Sequence, residues 1–420
     1  MPSALMPEIL SRVCVGLLTI SLFGCSGAKA PKTLFITYGI DESNFKDDQP
    51  QIQKFFDKNI KAFQRSNPET HLVYITYPSS EITKQISKDS DLNLGPDLVV
   101  TDFLLAGNLL NDDLTTTLPD KEFFNSIYNP YIQSYSKING EYTFAPWIRT
   151  IQIACFNNTK IKKSPSTLQE LEELSASGHK IGLSSELFEL LWTAGANGAF
   201  EELSIVGKQI KTDQSYPAIK EWLGWLRKAA LYQNILFFEN SRSLAKDLQN
   251  NKLDWIPCWG YQLDELKNTM GSTLSVAALP NGSKSKASPP MLLYGFALGK
   301  NSSQSQRESA LKFIKTNVNT IAQRKFQLSD QGFFAVNINV SIPPNSSQKI
   351  NALNTAFNEQ NRSYLNAWDG VLLWTGIRRG QSKQENIAIR ILQLQKALTE
   401  LTNGYLNINE TTKIITAQRN

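Results

Sequence analysis

The sequence predicts an α/β protein built on a largely parallel sheet. Short apolar runs of strand length alternate along the chain with segments of helical period. No internal repeat and no long low-complexity tract interrupts that alternation. The chain has 420 residues, 41% of them hydrophobic, which leaves room for two or three domains at roughly 100–200 residues each.

The elements follow in order. Thr33–Tyr38 is an apolar strand. Gln51–Arg65 carries Ile52, Phe55, Phe56, Ile60 and Phe63 at helical spacing. His71–Tyr77 is a second strand and Asp97–Thr101 a third, entered through Gly95-Pro96. Ile151–Phe156 reads as a strand and Ser166–Ser175 as a helix, with Ser166 and Gln169 as its capping box. Lys180–Leu183, Asp254–Cys258, Leu274–Leu279 and Leu292–Leu298 are further strands. Ser215–Tyr232, Ala310–Val318 and Ile321–Leu328 are helices, and residues 348–402 are mostly helical.

Residues 1–24 read as an address. Arg12 precedes the apolar stretch Val13–Gly24 of 12 residues. That is short of the ~18–20 needed to span a bilayer but matches a signal-peptide core. The run ends Leu22-Phe23-Gly24-Cys25, which resembles a bacterial lipobox, although Phe23 departs from the small residue usual there. The resemblance implies cleavage before Cys25, lipidation of Cys25, a linker over 25–31, and a periplasmic protein held to a membrane by its lipid. The alternative is an ordinary secretory signal with an incidental cysteine. Cys155 and Cys258 remain, both in strand-like stretches. A disulfide is permitted in an oxidising compartment, but the reading adopted is a pair of buried free thiols.

Composition excludes several function classes. Lys plus Arg number 43 against 38 Asp plus Glu, a net charge of +5, too small an excess for a dedicated nucleic-acid binder. With only two His, His71 and His179, and four Cys, no zinc-type spacing is available and no metal is expected. The sequence lacks G-x-S-x-G, H-E-x-x-H, a P-loop and a dinucleotide fingerprint. No catalytic residue and no cofactor are therefore expected. Eight Trp and 13 Tyr point to binding.

The order of short motifs carries a resemblance. Gly95-Pro96-Asp97 precedes a strand, and Gly140-Glu141-Tyr142-Thr143-Phe144-Ala145-Pro146 follows. Cys155-Phe156-Asn157, Pro165-Ser166-Thr167-Leu168-Gln169-Glu170-Leu171, Val276–Gly282, Tyr294–Leu298 and Gly332–Asn337 come next. In this order they resemble the family 1 extracellular solute-binding proteins, the maltose-binding-protein-like receptors of ABC importers. The resemblance spans nearly all of the chain after the leader. It implies a two-lobed periplasmic-binding-protein fold of type II, with a ligand cleft between lobes joined by crossover strands. The first lobe would be 32–147 plus 292–338 and the second 148–291 plus 339–420, with crossings near Pro146–Thr150 and Tyr294–Ala297. The protein would act as a monomer and deliver its ligand to permease subunits.

The resemblance also implies site residues. Trp147 follows Pro146 in the first crossover with Arg149 after it, and Thr150 stands where sugar-binding relatives place a cleft Glu. Glu186 and Phe188 match a Glu and a Tyr that contact sugar, and Tyr261, near Trp259, matches a stacking Trp. Trp374 and Arg378 match a Trp and an Arg four apart, and Asp102 ends a strand at the cleft rim. Leu104 and Leu105 replace the Asp-Arg pair of maltodextrin receptors. Rings for sugar faces and polar groups for hydroxyls suit a neutral di- or oligosaccharide or a glycosyl-polyol. A glycerophosphodiester or another polyol is the alternative, with Arg149 or Arg378 as the cation. A structural lipoprotein without transport is the third reading. Trp192, Trp222 and Trp225 read as core, Trp255 as core or cleft, and Trp368 with Asp369 as either.

Overall fold

The structure is a computed structural model. It describes residues 32–40, 51–78, 80–210, 215–328, 332–343, 345–361, 368–376 and 385–417. The leader, Cys25 and Arg378 lie outside the described residues. None of the described helices is long and apolar enough to cross a membrane.

In the first half, β1 (Lys32–Ile40) lies between β2 (Thr70–Pro78) and β3 (Leu98–Asp102), parallel to both. The helix Gln51–Ser66 connects β1 to β2 and buries Phe56, Ile60 and Phe63, the face set by their spacing of four and three. Phe63 meets Phe313 of the helix Gln304–Val318 edge-on, with ring centroids 5.1 Å apart. Each such ring contributes roughly 1.5–3 kcal/mol by burial. β4 (Thr115–Thr116) is short, and β5 (Lys137–Ile138) and β6 (Glu141–Tyr142) form a separate hairpin.

β7 (Ala145–Asn157) is longer than the sequence predicts and is buried over nearly all of its 13 residues. β8 (Ile181–Ser184) pairs in parallel with β9 (Ile235–Phe238) and with β10 (Trp255–Trp259). β11 (Leu274–Ala277), β12 (Met291–Gly299) and β13 (Phe334–Ala335) all run antiparallel to β7. Hydrogen bonding thus joins eleven described strands in one sheet, along the order β2-β1-β3-β12-β7-β10-β8-β9.

The sheet belongs to two α/β lobes, and β7 serves both. Its residues up to Ile151 pair with β12, which in turn pairs with β3. From Gln152 onward it pairs with β10. The change of partner falls between Ile151 and Gln152. Beside it, the backbones of Gly260 and Gly332 touch: a Cβ on Gly260 would meet the Gly332 carbonyl oxygen at 2.1 Å. Gly332 has φ +72°, a left-handed conformation that favours glycine.

Two sequence expectations are corrected. Cys155 and Cys258 are joined as a disulfide, not present as free thiols. Antiparallel pairing of β7 with β10 brings their Cα atoms to 5.8 Å across 103 residues of sequence, within bridging range. The helix predicted from Ser166 is Leu168–Ala176, and its cap is Thr167, which accepts from the Glu170 N–H at 3.1 Å. Ser166 lies just outside it, donating its N–H to the Glu170 carboxylate at 2.7 Å.

Candidate functional site

A cavity of about 600 Å³ opens between the lobes, within the range of small-ligand sites. Its second-lobe side begins at the end of β10. Trp259 and Tyr261 flank Gly260 and stack, with centroids 5.9 Å apart and ring planes 14° apart. The turn is fixed by Gln262, whose Oε1 accepts from the Trp259 N–H at 2.8 Å and whose Nε2 donates to the Ser241 carbonyl at 3.3 Å. Trp259 is buried and Tyr261 half-buried, so one ring braces the other against the cavity.

The helix Leu187–Ala196 supplies the acidic groups. Gln395 clamps its start, accepting from the Leu187 N–H and donating to the Ser185 carbonyl. Glu186 precedes the first turn and is exposed, whereas Glu189 is only 6% exposed. Glu189 Oε1 accepts from the Trp259 indole N–H at 3.0 Å. Oε2 of Glu189 is buried with no hydrogen-bond partner among the described residues. On β7, at the change of partner, Gln152 Nε2 donates to the Glu189 carbonyl at 3.3 Å. Phe188, Asn240, Ser241, Arg242, Trp368 and Leu372 complete this side.

The first-lobe side is formed by Phe103, Leu104, Tyr131 and Tyr135, and Pro290, Met291 and Leu292 line the cavity where the chain passes between the lobes into β12. Tyr135 holds Phe103 and Tyr131 edge-on, at centroid distances of 5.0 and 4.9 Å. The helix Pro130–Ser136 places the two tyrosines four apart. It starts with Asn129 accepting from the Ile132 N–H at 2.8 Å and Pro130 in its first turn.

Of the residues expected from sequence, Glu186, Trp259 and Tyr261 line this cavity. Trp147 does not. Tyr294 pairs with Ile148 and Gly295 with Pro146, so Trp147 is the extra residue of a β-bulge. Its ring lies 1% exposed against Phe56 and Phe296, in the first lobe's core. Arg149 is also outside the lining. Its Nε donates to the Ala335 carbonyl at 3.0 Å, and its guanidinium lies 4.5 Å from the Phe357 ring centre.

Trp374 is 2% exposed and donates its indole N–H to the Ile415 carbonyl at 2.7 Å. Six helical residues from Trp368, it points about a third of a turn away, so Trp368 reaches the cavity instead. Asp102 caps the helix Phe103–Asn111, accepting from the N–H groups of Leu104 and Leu105 at 2.8 and 3.0 Å. Burial pushes its carboxyl above the ordinary value, and those two bonds oppose the rise. Thr150 is buried and donates to the Gly332 carbonyl at 3.2 Å. Trp192, Trp222, Trp225 and Trp255 are all core. No cluster of three metal-ligating side chains occurs among the described residues.

The cavity-lining residues that sequence reasoning missed include Phe103, Tyr131, Tyr135, Glu189 and Arg242. A signal existed for two of them: Asn129-Pro130 announces a helix, and the tyrosines sit at i and i+4 within it. Glu189 lies three residues beyond Glu186, in the first turn of the helix that Glu186 precedes.

Comparison with known proteins agrees with this architecture. No curated protein matches the chain by sequence. Among solved structures, the GacH receptor of Streptomyces glaucescens GLA.O, described unliganded and with acarbose, is similar at 10% identity and TM-score 0.70. That match covers 92% of this chain and 97% of that one. Maltose-bound MalE3 of T. maritima matches at 15% identity and TM-score 0.68, covering 91% and 98%. UgpB of Mycobacterium tuberculosis with glycerophosphocholine matches at 15% identity and TM-score 0.66, covering 92% and 96%. These likenesses establish the two-lobed α/β fold of periplasmic binding proteins. The model of the bacterial extracellular solute-binding protein family matches residues 58–355, and the chain belongs to that family: it is a solute receptor rather than an enzyme.

Proposed function

We propose that the chain is the substrate-binding lipoprotein of an ABC-type importer, capturing a di- or oligosaccharide or a glycosyl-polyol between its lobes. The observation that carries this reading is the cavity's pairing of rings with acceptors. Trp259, Tyr261 and Trp368 stand on one side and Phe103, Tyr131 and Tyr135 on the other, with Glu186, Glu189, Asn240 and Gln262 among them. Rings cover the C–H faces of a pyranose, and carboxylates and amides take its hydroxyls.

The lobes in this reading are 32–147 plus 292–338 and 148–291 plus 339–420, hinged where β7 changes partner between Ile151 and Gln152. Ligand bridging both sides raises the population of the closed form by its differential affinity for that form. The closed monomer is then what the permease subunits recognise. Cys25 carries the lipid that holds the receptor to the membrane outside the cytoplasm. The Cys155–Cys258 disulfide fits that oxidising location.

A glycerophosphodiester is less well served. Arg242 is the only cationic side chain in the described lining, which holds two carboxylates, and Arg149 is turned away onto Phe357. The test is thermal unfolding of the protein against saccharides, glycosyl-polyols and glycerophosphocholine. Saturation at 100 times Kd stabilises by about 2.7 kcal/mol. A shift with saccharides is the expected result, and a shift with glycerophosphocholine alone would overturn the saccharide reading.

A further inference from the structure

The cavity lining is chemically divided. Its second-lobe side holds Tyr261 with Glu186, Asn240 and Arg242, all at least partly open to solvent. Its first-lobe side and the entry to β12 hold Leu104, Met291 and Leu292. Strand register explains why two of these aliphatic groups share one place. β12 runs antiparallel to β3 with Tyr294 opposite Asp102, and Leu292 and Leu104 each lie two residues beyond that pair, at the same end of the sheet. Both leucines are half-buried, so their side chains are open to a molecule in the cavity. Leu372, on the helix Trp368–Thr375, adds an aliphatic group from the second lobe.

A branched aliphatic side chain offers no π face to a pyranose ring and no polar atom to a hydroxyl. It favours hydrocarbon taken out of water. We propose that the cleft takes an amphiphilic glycoside, with the sugar against Tyr261 and its polar neighbours and an alkyl aglycone against Leu104 and Leu292. This rests on the saccharide reading above and adds an apolar arm to the ligand. Phe103 and Tyr131, beside Leu104 in the lining, continue the surface on which that arm lies.

The test titrates n-alkyl glucosides and n-alkyl maltosides, methyl to hexyl and below their critical micelle concentrations, into the full protein by calorimetry. The proteins are the wild type, Leu104→Asn, Leu292→Thr and Tyr261→Ala, with circular dichroism as the check of folding. Affinity for the wild type is expected to rise about threefold with each added methylene. Leu104→Asn and Leu292→Thr flatten that gradient, whereas Tyr261→Ala weakens every member and keeps the gradient. The two leucines stand on different elements, a helix and a strand, so one variant suffices if the other fails to fold. Affinity independent of chain length, or a gradient that survives in the folded leucine variants, overturns the inference and leaves the saccharide reading standing. So does binding of free maltose with no binding of its alkyl glycosides. Binding of neither glycosides nor free saccharides counts against both.

Discussion

Phe103, Leu104, Tyr131 and Tyr135 form a first-lobe wall that carries no charge, whereas the second-lobe wall sets Glu186, Glu189, Asn240, Arg242 and Gln262 around Trp259 and Tyr261. The difference reflects how each wall is built. The first-lobe rings are held by one another, edge to edge through Tyr135. The second-lobe groups are held by hydrogen bonds that reach into the backbone of that lobe: Gln262 to Ser241, Gln152 to the Glu189 carbonyl, and Gln395 to both sides of the turn at Glu186. A wall locked by hydrogen bonds can fix the orientation of a polar ligand. A wall of packed rings chiefly covers its apolar face, with the Tyr131 and Tyr135 hydroxyls as its polar groups. On the function proposed above, the second lobe would be the one that selects and the first the one that closes.

That asymmetry can be broken at its foundation first. The disulfide ties β7 to β10 directly behind the selecting wall. Closing a loop of 103 residues is worth about 4.7 kcal/mol in the chain-entropy account. Replacing both cysteines by Ala is expected to lower the unfolding free energy by about that amount, read by urea denaturation.

At the outer end of β10, Asp254 takes Lys160 Nζ at 2.6 Å and the Lys180 N–H at 3.0 Å, with His179 at 3.5 Å. Burial alone would raise its pKa, but these partners outweigh burial and lower it below 3.8. A depressed carboxyl stabilises the fold above the unfolded pKa and loses that contribution as pH falls through the folded value. Asp254→Ala is expected to cost about 2 kcal/mol at neutral pH, with less of the difference remaining at the acid end of a denaturation series run down through pH 3.8.

Within the cleft, Tyr261→Ala is expected to weaken saccharide binding by about 2 kcal/mol, the scale of a buried aromatic anchor. Leu104→Ala on the facing wall is expected to cost about half that, because only apolar cover is lost. Calorimetric titration of both variants checks the ranking, and equal losses would remove the distinction between the walls. An effect of similar size, on stability rather than binding, belongs to Asp102, which caps the helix that carries Phe103 and Leu104. Asp102→Ala removes the cap of the Phe103–Asn111 helix and is expected to cost about 1 kcal/mol, with Asp102→Asn nearly neutral. Thermal unfolding of the pair measures it.

Much of the fold was legible because strand and helix periods survive in the sequence. The Phe56, Ile60, Phe63 face and the apolar runs of β1, β3 and β12 are examples. The cavity lining was legible at the end of β10, where Trp259 and Tyr261 stand, and at Glu186 before the helix Leu187–Ala196. Trp147 was misplaced because a β-bulge, invisible to a period-two pattern, turned it into the core. Trp374 was misplaced because the rotation of its helix is set by packing against the C-terminal Ile415 carbonyl. The disulfide needed the register of β7 on β10, which strands 103 residues apart do not announce. Glu189 required knowing which helix turn borders the cleft.

The central claim is capture of a saccharide by closure of the two walls upon each other. Small-angle X-ray scattering of the wild type and Tyr261→Ala, with and without saturating oligosaccharide, tests it most directly. The account predicts a fall in the radius of gyration of the wild type on adding ligand, and none for Tyr261→Ala at the same concentration. A radius unchanged by a saccharide that binds, or an identical contraction in both proteins, would contradict it.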